Sequence, residues 1–151
     1  MNKLLFVCLL FILSCKTNIQ GQKAVASKPE ILMSESQGGT DTKGFVIIKD
    51  QKHLVEEVSK RSGITDAENK PSYPTFTGKN KWVIYDLGSF NSGDHRITEI
   101  KNITVKNNVL TLEVLKYESG GMEIMMISKP WILFSVPLDY RFNAIEITYS
   151  K

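Results

Sequence analysis

The sequence predicts an α+β domain, a mainly antiparallel β-sheet or small sandwich with one packed helix. Short runs of β-branched and aromatic residues recur between Phe45 and Tyr149, separated by Gly, Asn, Ser and Pro, the punctuation of strands joined by tight turns. One stretch has helical spacing, the segment after Asp50 in which Leu54, Val55 and Val58 share a face. With one crossover helix and about seven strands, a parallel α/β sheet is excluded, because each parallel neighbour needs its own long connection.

Three segments organise the 151 residues. Residues 1–14 read as a lipoprotein signal peptide. Lys3 precedes the apolar run Leu4 to Leu13, which falls short of the roughly 20 residues that span a bilayer core, and Ser14 leads into Cys15. Ile12, Leu13 and Ser14 occupy the positions that a lipoprotein signal peptidase reads, in a loose form of the lipobox. Cleavage after Ser14 leaves Cys15 as the mature N-terminus and the expected lipidation site. A thioether-linked diacylglyceryl group joined by an amide-linked chain such as palmitate supplies at least two hydrocarbon chains, each buried methylene contributing about 0.8 kcal/mol. The alternative is an ordinary secretory signal cleaved elsewhere. Lys16, Thr17 and Asn18 place no acidic residue behind the cysteine, which favours outer-membrane attachment facing the periplasm over inner-membrane retention. The expected location is therefore the cell envelope, held by lipid.

Residues 15–43 read as the lipidated cysteine and a flexible tether, without aromatic residues and dominated by Gln, Ser, Thr, Gly and Lys. A coil of that length spans roughly 30 Å. Its apolar cluster, Ile31, Leu32 and Met33, has a second reading as an edge strand of the domain. The globular domain is expected over residues 44–151, long enough for one core and too short for two.

Within it, Phe45 to Ile48 is a buried strand ended by Lys49 and Asp50. Asp50 caps the helix, Glu56–Lys60 and Glu57–Arg61 are i,i+4 pairs on its wet side, and Gly63 stops it. Ile64 to Asn80 contains Pro71 and Pro74 and is expected as a surface loop pinned by Tyr73 and Phe76. Lys81 to Leu87 is apolar on both faces, which marks an internal strand, and Gly88 to Asp94 breaks it. A two-residue turn at Asn107 and Asn108 sets Val105 opposite Leu110 and Ile103 opposite Leu112, all on one face. Upstream the same register brings Lys101 onto that face against Val114, a mismatch that a bulge near Lys101 to Asn102 repairs. A second hairpin turning at Gly120 and Gly121 sends Met122 to Ser128 back along the sheet, and Trp131 to Val136 follows Pro130. The last strand sets Ile145, Ile147 and Tyr149 against a wet face of Glu146, Thr148 and Ser150.

Composition narrows the function classes. The chain holds 19 Lys+Arg and 16 Asp+Glu, and removal of the signal takes away one lysine, Lys3. The remaining excess is too small and too scattered to grip nucleic acid. Cys8 leaves with the signal, so the mature chain keeps one cysteine and no disulfide framework. His53 and His95 without a free thiol make no zinc site, and no motif calls for a cofactor.

The strand ending in Asp86, Leu87 and Gly88, the small-residue turn at Ser92 and Gly93, the paired strands after it and the run Pro130 to Pro137 together resemble the C-terminal domain of the PrcB family. The similarity spans Lys81 to Pro137, with Gly44 to Ser62 fitting the strand and helix that often precede it. Where that family's turn reads small residue, Gly, Gly, aromatic, Asp94 and His95 replace the second glycine and the aromatic. The family is named for a lipoprotein subunit of a cell-surface subtilisin-like protease complex. The resemblance implies an accessory, non-catalytic role beside an exported protease or another envelope protein, and it transfers no functional residue.

Ser92, Asp94 and His95 have the residue types of a nucleophilic triad, but neighbours on an extended chain point to opposite faces, so Asp94 does not orient His95. No catalytic residue is assigned. The candidate partner-binding surface is Asn91, Ser92, Gly93, Asp94 and His95 together with Gly120 and Gly121, or the segment Pro71 to Phe76. Asp86 is read as an edge or turn-capping residue rather than a buried carboxylate. Met122, Met125 and Met126 are read as core filling, with an adaptable contact surface as the alternative. A small-ligand carrier or envelope hydrolase is the alternative class, and it requires a concave pocket against Trp82, Tyr85 or Trp131.

Overall fold

Two runs without polar alternation, Lys81–Leu87 and Trp131–Val136, pair antiparallel at the centre of the fold and bury side chains on both faces. The computed structural model describes residues 29–62, 73–117 and 126–150. In chain order the elements are β1 (Glu30–Glu35), β2 (Lys43–Ile48), α1 (Gln51–Ser62), β3 (Lys81–Leu87), β4 (Ile100–Lys106), β5 (Val109–Leu115), β6 (Trp131–Val136) and β7 (Ala144–Ser150). Four strands form one sheet in the order β1-β6-β3-β2, and three form another in the order β4-β5-β7. The fold is the α+β small sandwich that the sequence predicts.

Three layers result. One face of the central pair sends Val83, Tyr85, Leu87, Ile132, Phe134 and Val136 against Ile103, Leu110, Leu112 and Val114 of the three-stranded sheet. The opposite face sends Trp82, Ile84, Trp131 and Leu133 against Leu54 and Val58 of α1. Each such side chain, removed from water, contributes about 1.5–3 kcal/mol, which is why the two apolar runs take the middle layer.

Local chemistry sets the remaining elements. Asp50 caps α1, its Oδ1 accepting from the His53 amide at 2.8 Å. Tyr73 and Phe76 pin the described stretch ahead of β3, the first through its hydroxyl to Ser59 Oγ at 2.9 Å and the second edge-on against Trp82 at 5.2 Å, while residues 63–72 of the expected loop lie outside the described residues. Asn107 and Asn108 adopt φ values of 53° and 62°, the left-handed pair that a two-residue hairpin demands and that asparagine tolerates. The β4–β5 register follows the expectation: Val105 faces Leu110, Ile103 faces Leu112, and an irregularity between Ile100 and Asn102 leaves Lys101 exposed while Ile100 meets Val114.

Several expectations need correction. The distal part of the expected tether is strand β1, paired antiparallel with β6, so ordered structure begins before residue 44. An irregularity between Ile31 and Met33 places Ile31 against one core cluster and Leu32 and Met33 against the other, and burial on both faces holds the strand. Phe45 to Ile48 is not a buried strand but part of the edge strand β2, with Ile48 buried and Ile47 36 % exposed. The last strand, β7, for which the sequence names no partner, runs parallel to β5. Met126 is 56 % exposed rather than core filling, and of the strand expected over Met122–Ser128 the described residues keep one isolated bridge, Ser128 to Phe90. The predicted stop at Gly63 and the turn at Gly120 and Gly121 lie outside the described residues.

The connections separate to two ends of the sandwich. At one end gather the β1–β2 and β3–β4 connections, the approach to β6 and the C-terminal ends of α1 and β5. At the other lie the Asn107–Asn108 turn, tied by the Asn143 amide to the Asn108 carbonyl at 2.9 Å, and the start of α1.

Candidate functional site

The connection between β3 and β4 builds the first end around three rings. The chain leaves β3 through Gly88, and Phe90 then exchanges two backbone hydrogen bonds with Ser128, each 2.9 Å. His95 stacks on Phe90 with centroids 4.0 Å apart and planes 16° from parallel, and Tyr117 meets the imidazole at 4.6 Å with its plane tilted by 45°. Gly93, at φ +83°, lies so close to Tyr117 that a Cβ would stand 2.8 Å from its ring, so glycine alone fits both the backbone and the approach. The His95 Nε2 lies 2.7 Å from the Ser92 carbonyl; that oxygen can only accept, so Nε2 carries the hydrogen.

This geometry assigns no triad. Asp94 is held by Arg96, with Nε 2.7 and 2.8 Å from its two oxygens and Nη2 at 2.6 Å, and His95 meets the Ser92 carbonyl, not its hydroxyl. The hydrogen bonds and charge of Asp94 hold the Arg96 guanidinium above its usual pKa. Asn91 is exposed, and the segment is tied to β1 by Ser34 Oγ donating to the Ile97 carbonyl at 2.7 Å. The structure therefore brings Ser92, Gly93, Asp94 and His95 into one turn, whereas Gly120, Gly121 and Cys15 lie outside the described residues. Sequence reasoning missed Phe90 and Tyr117. Phe90 leads directly into the glycine-bearing turn and carries a local signal, whereas Tyr117 follows β5 and joins the rings only because the fold sets the end of β5 beside that turn.

Apolar surface adjoins the rings. Ile127 is 59 % exposed and immediately precedes Ser128, the backbone partner of Phe90; its carbonyl accepts from Gln37 Nε2 at 3.2 Å. Met126 stands beside it, and Leu115 is exposed two residues before Tyr117. Asp41 links the neighbouring connections, accepting from Ser89 Oγ at 2.8 Å and pairing with Lys129 Nζ at 2.9 Å; the Lys129 hydrogen bond, then that of Ser89, hold its carboxyl below the usual carboxylate range.

Beneath this end lies a buried charge cluster. Asp86 accepts from Arg61 Nε at 3.1 Å and Nη2 at 2.7 Å, while Arg61 Nη1 donates to Glu57 Oε2 at 2.9 Å and to the Glu57 carbonyl at 2.8 Å. Asp86 is thus a buried ion-pair partner, not an edge residue or turn cap. The Glu57–Arg61 pair exists but not on the wet side of α1, because both residues turn under the β1–β2 connection; Lys60 pairs with Glu57, not Glu56. Burial pulls the Arg61 pKa down, and the hydrogen bonds and charges of Asp86 and Glu57 outweigh it, leaving it raised. Gly38, at φ +94°, rides against the last turn of α1, where a Cβ would collide with the Arg61 carbonyl. The Thr40 amide adds a hydrogen bond to Asp86 at 3.3 Å. The cluster clamps α1, β3 and the β1–β2 connection together and is enclosed, so its chemistry is structural.

The rings expected to line a carrier or hydrolase pocket are packed instead. Trp82 meets Phe76, Trp131 lies under the Arg61 guanidinium and donates Nε1–H to the Gln37 carbonyl at 3.0 Å, and Tyr85 is buried, its hydroxyl pKa raised by burial and by Tyr149. Among the described residues no group of three or more His, Cys, Asp and Glu side chains is placed to hold a metal ion, and no helix is long and apolar enough to cross a membrane. No family model, curated protein or solved structure matches the chain.

Proposed function

We propose that this chain is a lipid-anchored accessory protein of the cell envelope, non-catalytic, whose loop end binds and positions a partner protein such as an exported protease. One observation carries the reading: Phe90, His95 and Tyr117 form a preorganised stack beside the exposed Met126 and Ile127. Rigid aromatic anchors next to solvent-facing apolar side chains are the composition of a protein-contact centre, and their order is established before binding, which lowers its entropic cost. The polar residues Asn91 and Asp94 and the cation of Arg96 supply a hydrophilic rim. The resemblance to the PrcB C-terminal domain supports the same role, and the imidazole at the turn's aromatic position is itself a flat, stacking ring. Membrane attachment rests on Cys15. β1 begins at the end of the sandwich remote from the rings, so the chain enters the described domain on the side away from the proposed contact surface.

Crosslinking in intact cells followed by mass spectrometry of the detergent extract tests this reading, with wild type compared against Ile127→Asp. The expected result is one reproducible envelope partner whose yield falls with Ile127→Asp, together with a mature mass carrying acyl chains on Cys15. Absence of a reproducible partner, or a partner indifferent to that substitution, overturns the binding role; an unacylated mature chain overturns the anchoring.

A further inference from the structure

The two flanks of the sandwich are finished differently. On one flank, where Ser34 of β1 reaches Ile97 before β4, both edge strands are interrupted: β1 between Ile31 and Met33, β4 between Ile100 and Asn102. Charges stand more densely there as well, Glu30 and Glu35 on β1 and Lys101 and Lys106 on β4, against Lys43 alone on β2 and Glu146 alone on β7. Bulges and charges are the usual devices that stop an edge from pairing with another chain. On the other flank, where Phe45 of β2 meets Phe142 before β7 at 5.7 Å, the registers of β2 and β7 run without interruption. Apolar side chains are open there, Tyr149 at 55 % and Ile47 at 36 % exposure. Among the described residues no strand pairs with the outer edge of β7.

The polarity of that edge follows from one bond. The Ser150 carbonyl accepts from the Lys116 amide at 3.2 Å, so the backbone groups of Ser150, and by alternation of Thr148 and Glu146, point toward β5. Those of Ile145, Ile147 and Tyr149 point outward, and their side chains lie on the inner face, where Ile145 and Ile147 pack on the core. We propose that β7 pairs antiparallel with β7 of a second copy of this chain, about a two-fold axis through Ile147, joining two three-stranded sheets into one of six strands.

The register is set by elimination. A two-fold axis normal to the sheet keeps inner residues opposite inner ones, so each register is defined by the residue that faces itself. Centring on Glu146 opposes two carboxylates directly. Centring on Ile147 sets Ile145 opposite Tyr149 at both ends and Glu146 opposite Thr148, and all three outward-pointing residues of each strand then find partners within β7. Centring on Thr148 removes Ile145 from β7 pairing. The Ile147-centred register alone combines full use of the open groups with no like-charge contact, and it covers the Tyr149 ring.

Cysteine pairs on the solvent face read this register without disturbing the core. Glu146 and Thr148 face each other as a non-hydrogen-bonded pair, with Cα atoms about 4.5 Å apart, within disulfide reach. Full-length chains bearing Glu146→Cys and Thr148→Cys are oxidised separately and as a mixture, with cross-linked peptides identified by mass spectrometry so that Cys8 and Cys15 do not confuse the result. The expected product is a 146–148 disulfide in the mixture, far above any homodimer of either variant alone. Its absence, or an equal yield of 146–146 or 148–148 product, overturns the proposal. Sedimentation of the full chain in detergent gives an independent reading. Wild type is expected as a dimer, and Tyr149→Lys, which opposes an ammonium to Ile145, weakens association about tenfold or more with the circular dichroism unchanged. A monomeric wild type, or a folded Tyr149→Lys that stays equally dimeric, refutes it.

Discussion

Replacing Arg61 by leucine isolates the energetics of the enclosed charge cluster. The Asp86 side chain is 4 % exposed and would lose both guanidinium bonds, at 3.1 and 2.7 Å, keeping the Thr40 amide at 3.3 Å. Removing one partner of a buried ion pair costs about 3–5 kcal/mol, because the remaining charge stays desolvated. Leucine keeps apolar contact above Trp131, which places the loss near about 3 kcal/mol; Glu57 retains Lys60, an exposed partner that adds little. A domain of this size has about 5–15 kcal/mol in all, so the variant folds but with a narrow margin. Urea unfolding followed by tryptophan fluorescence is the assay, since Trp82 and Trp131 are both buried and the second lies 5.9 Å under the guanidinium. The midpoint is expected to fall by roughly 1–3 M at ordinary m-values. Arg61→Leu combined with Asp86→Leu recovers much of that loss, giving a coupling of about 1–3 kcal/mol in the double-mutant cycle. A midpoint shift below about 0.5 M for Arg61→Leu, or a cycle with no coupling, refutes the assignment of this cluster as the clamp.

Gly38→Ala is expected to destabilise by at least about 2 kcal/mol in the same urea assay, since both its positive φ and the Arg61 carbonyl forbid a Cβ, whereas Gly44→Ala, with nothing within 4 Å, stays within about 0.5 kcal/mol. Asn107→Val forces a β-branched residue to φ 53° and should lower thermal stability by about 1 kcal/mol or more, while Asn108→Gly raises it slightly, both read as melting shifts. Burial raises the Glu57 carboxyl's pKa, but the hydrogen bonds and charges of Lys60 and Arg61 outweigh it, so the folded value lies below the ordinary 4.5. The unfolded chain therefore binds this proton more readily: the contribution is complete above 4.5 and disappears as pH falls through the lower folded value. Melting curves from about pH 6 to about pH 3 should show a shallower acid loss for Glu57→Gln than for wild type; identical slopes would count against the coupling.

Local rules made much of the fold legible. The Asn107–Asn108 pair carries its own turn geometry, and once the turn is placed, alternation sets the β4–β5 register and the Lys101 mismatch demands its bulge. The continuous apolar run Lys81 to Leu87 identifies β3 as internal, because such a strand needs cover on both faces, whereas the equally buried β6 is read from sequence only as a strand after Pro130. Pairing partners were less visible. A period of two says which face of β7 is wet but not which strand lies beside it, so its parallel run along β5 was out of reach. Three apolar residues, Ile31 to Met33, make too short a signal to separate a strand from a tether, and only the uncovered edge of β6 decides for β1. At the candidate site, chain proximity correctly grouped Ser92 to His95, while Tyr117 arrives from β5 and Arg61 meets Asp86 from another element. Neither encounter leaves a periodic trace in one sequence.

The direction of β1 has a mechanical consequence. Its first residue, Glu30, pairs with Ser135 near the far end of β6, and its last, Glu35, pairs with Trp131 at the ring-bearing end. Tension between a hold on residue 30 and a weight carried at the rings acts along the strand axis, so the β1–β6 hydrogen bonds resist sliding together instead of being peeled away singly. Reversing β1 would turn the same tug into a zipper.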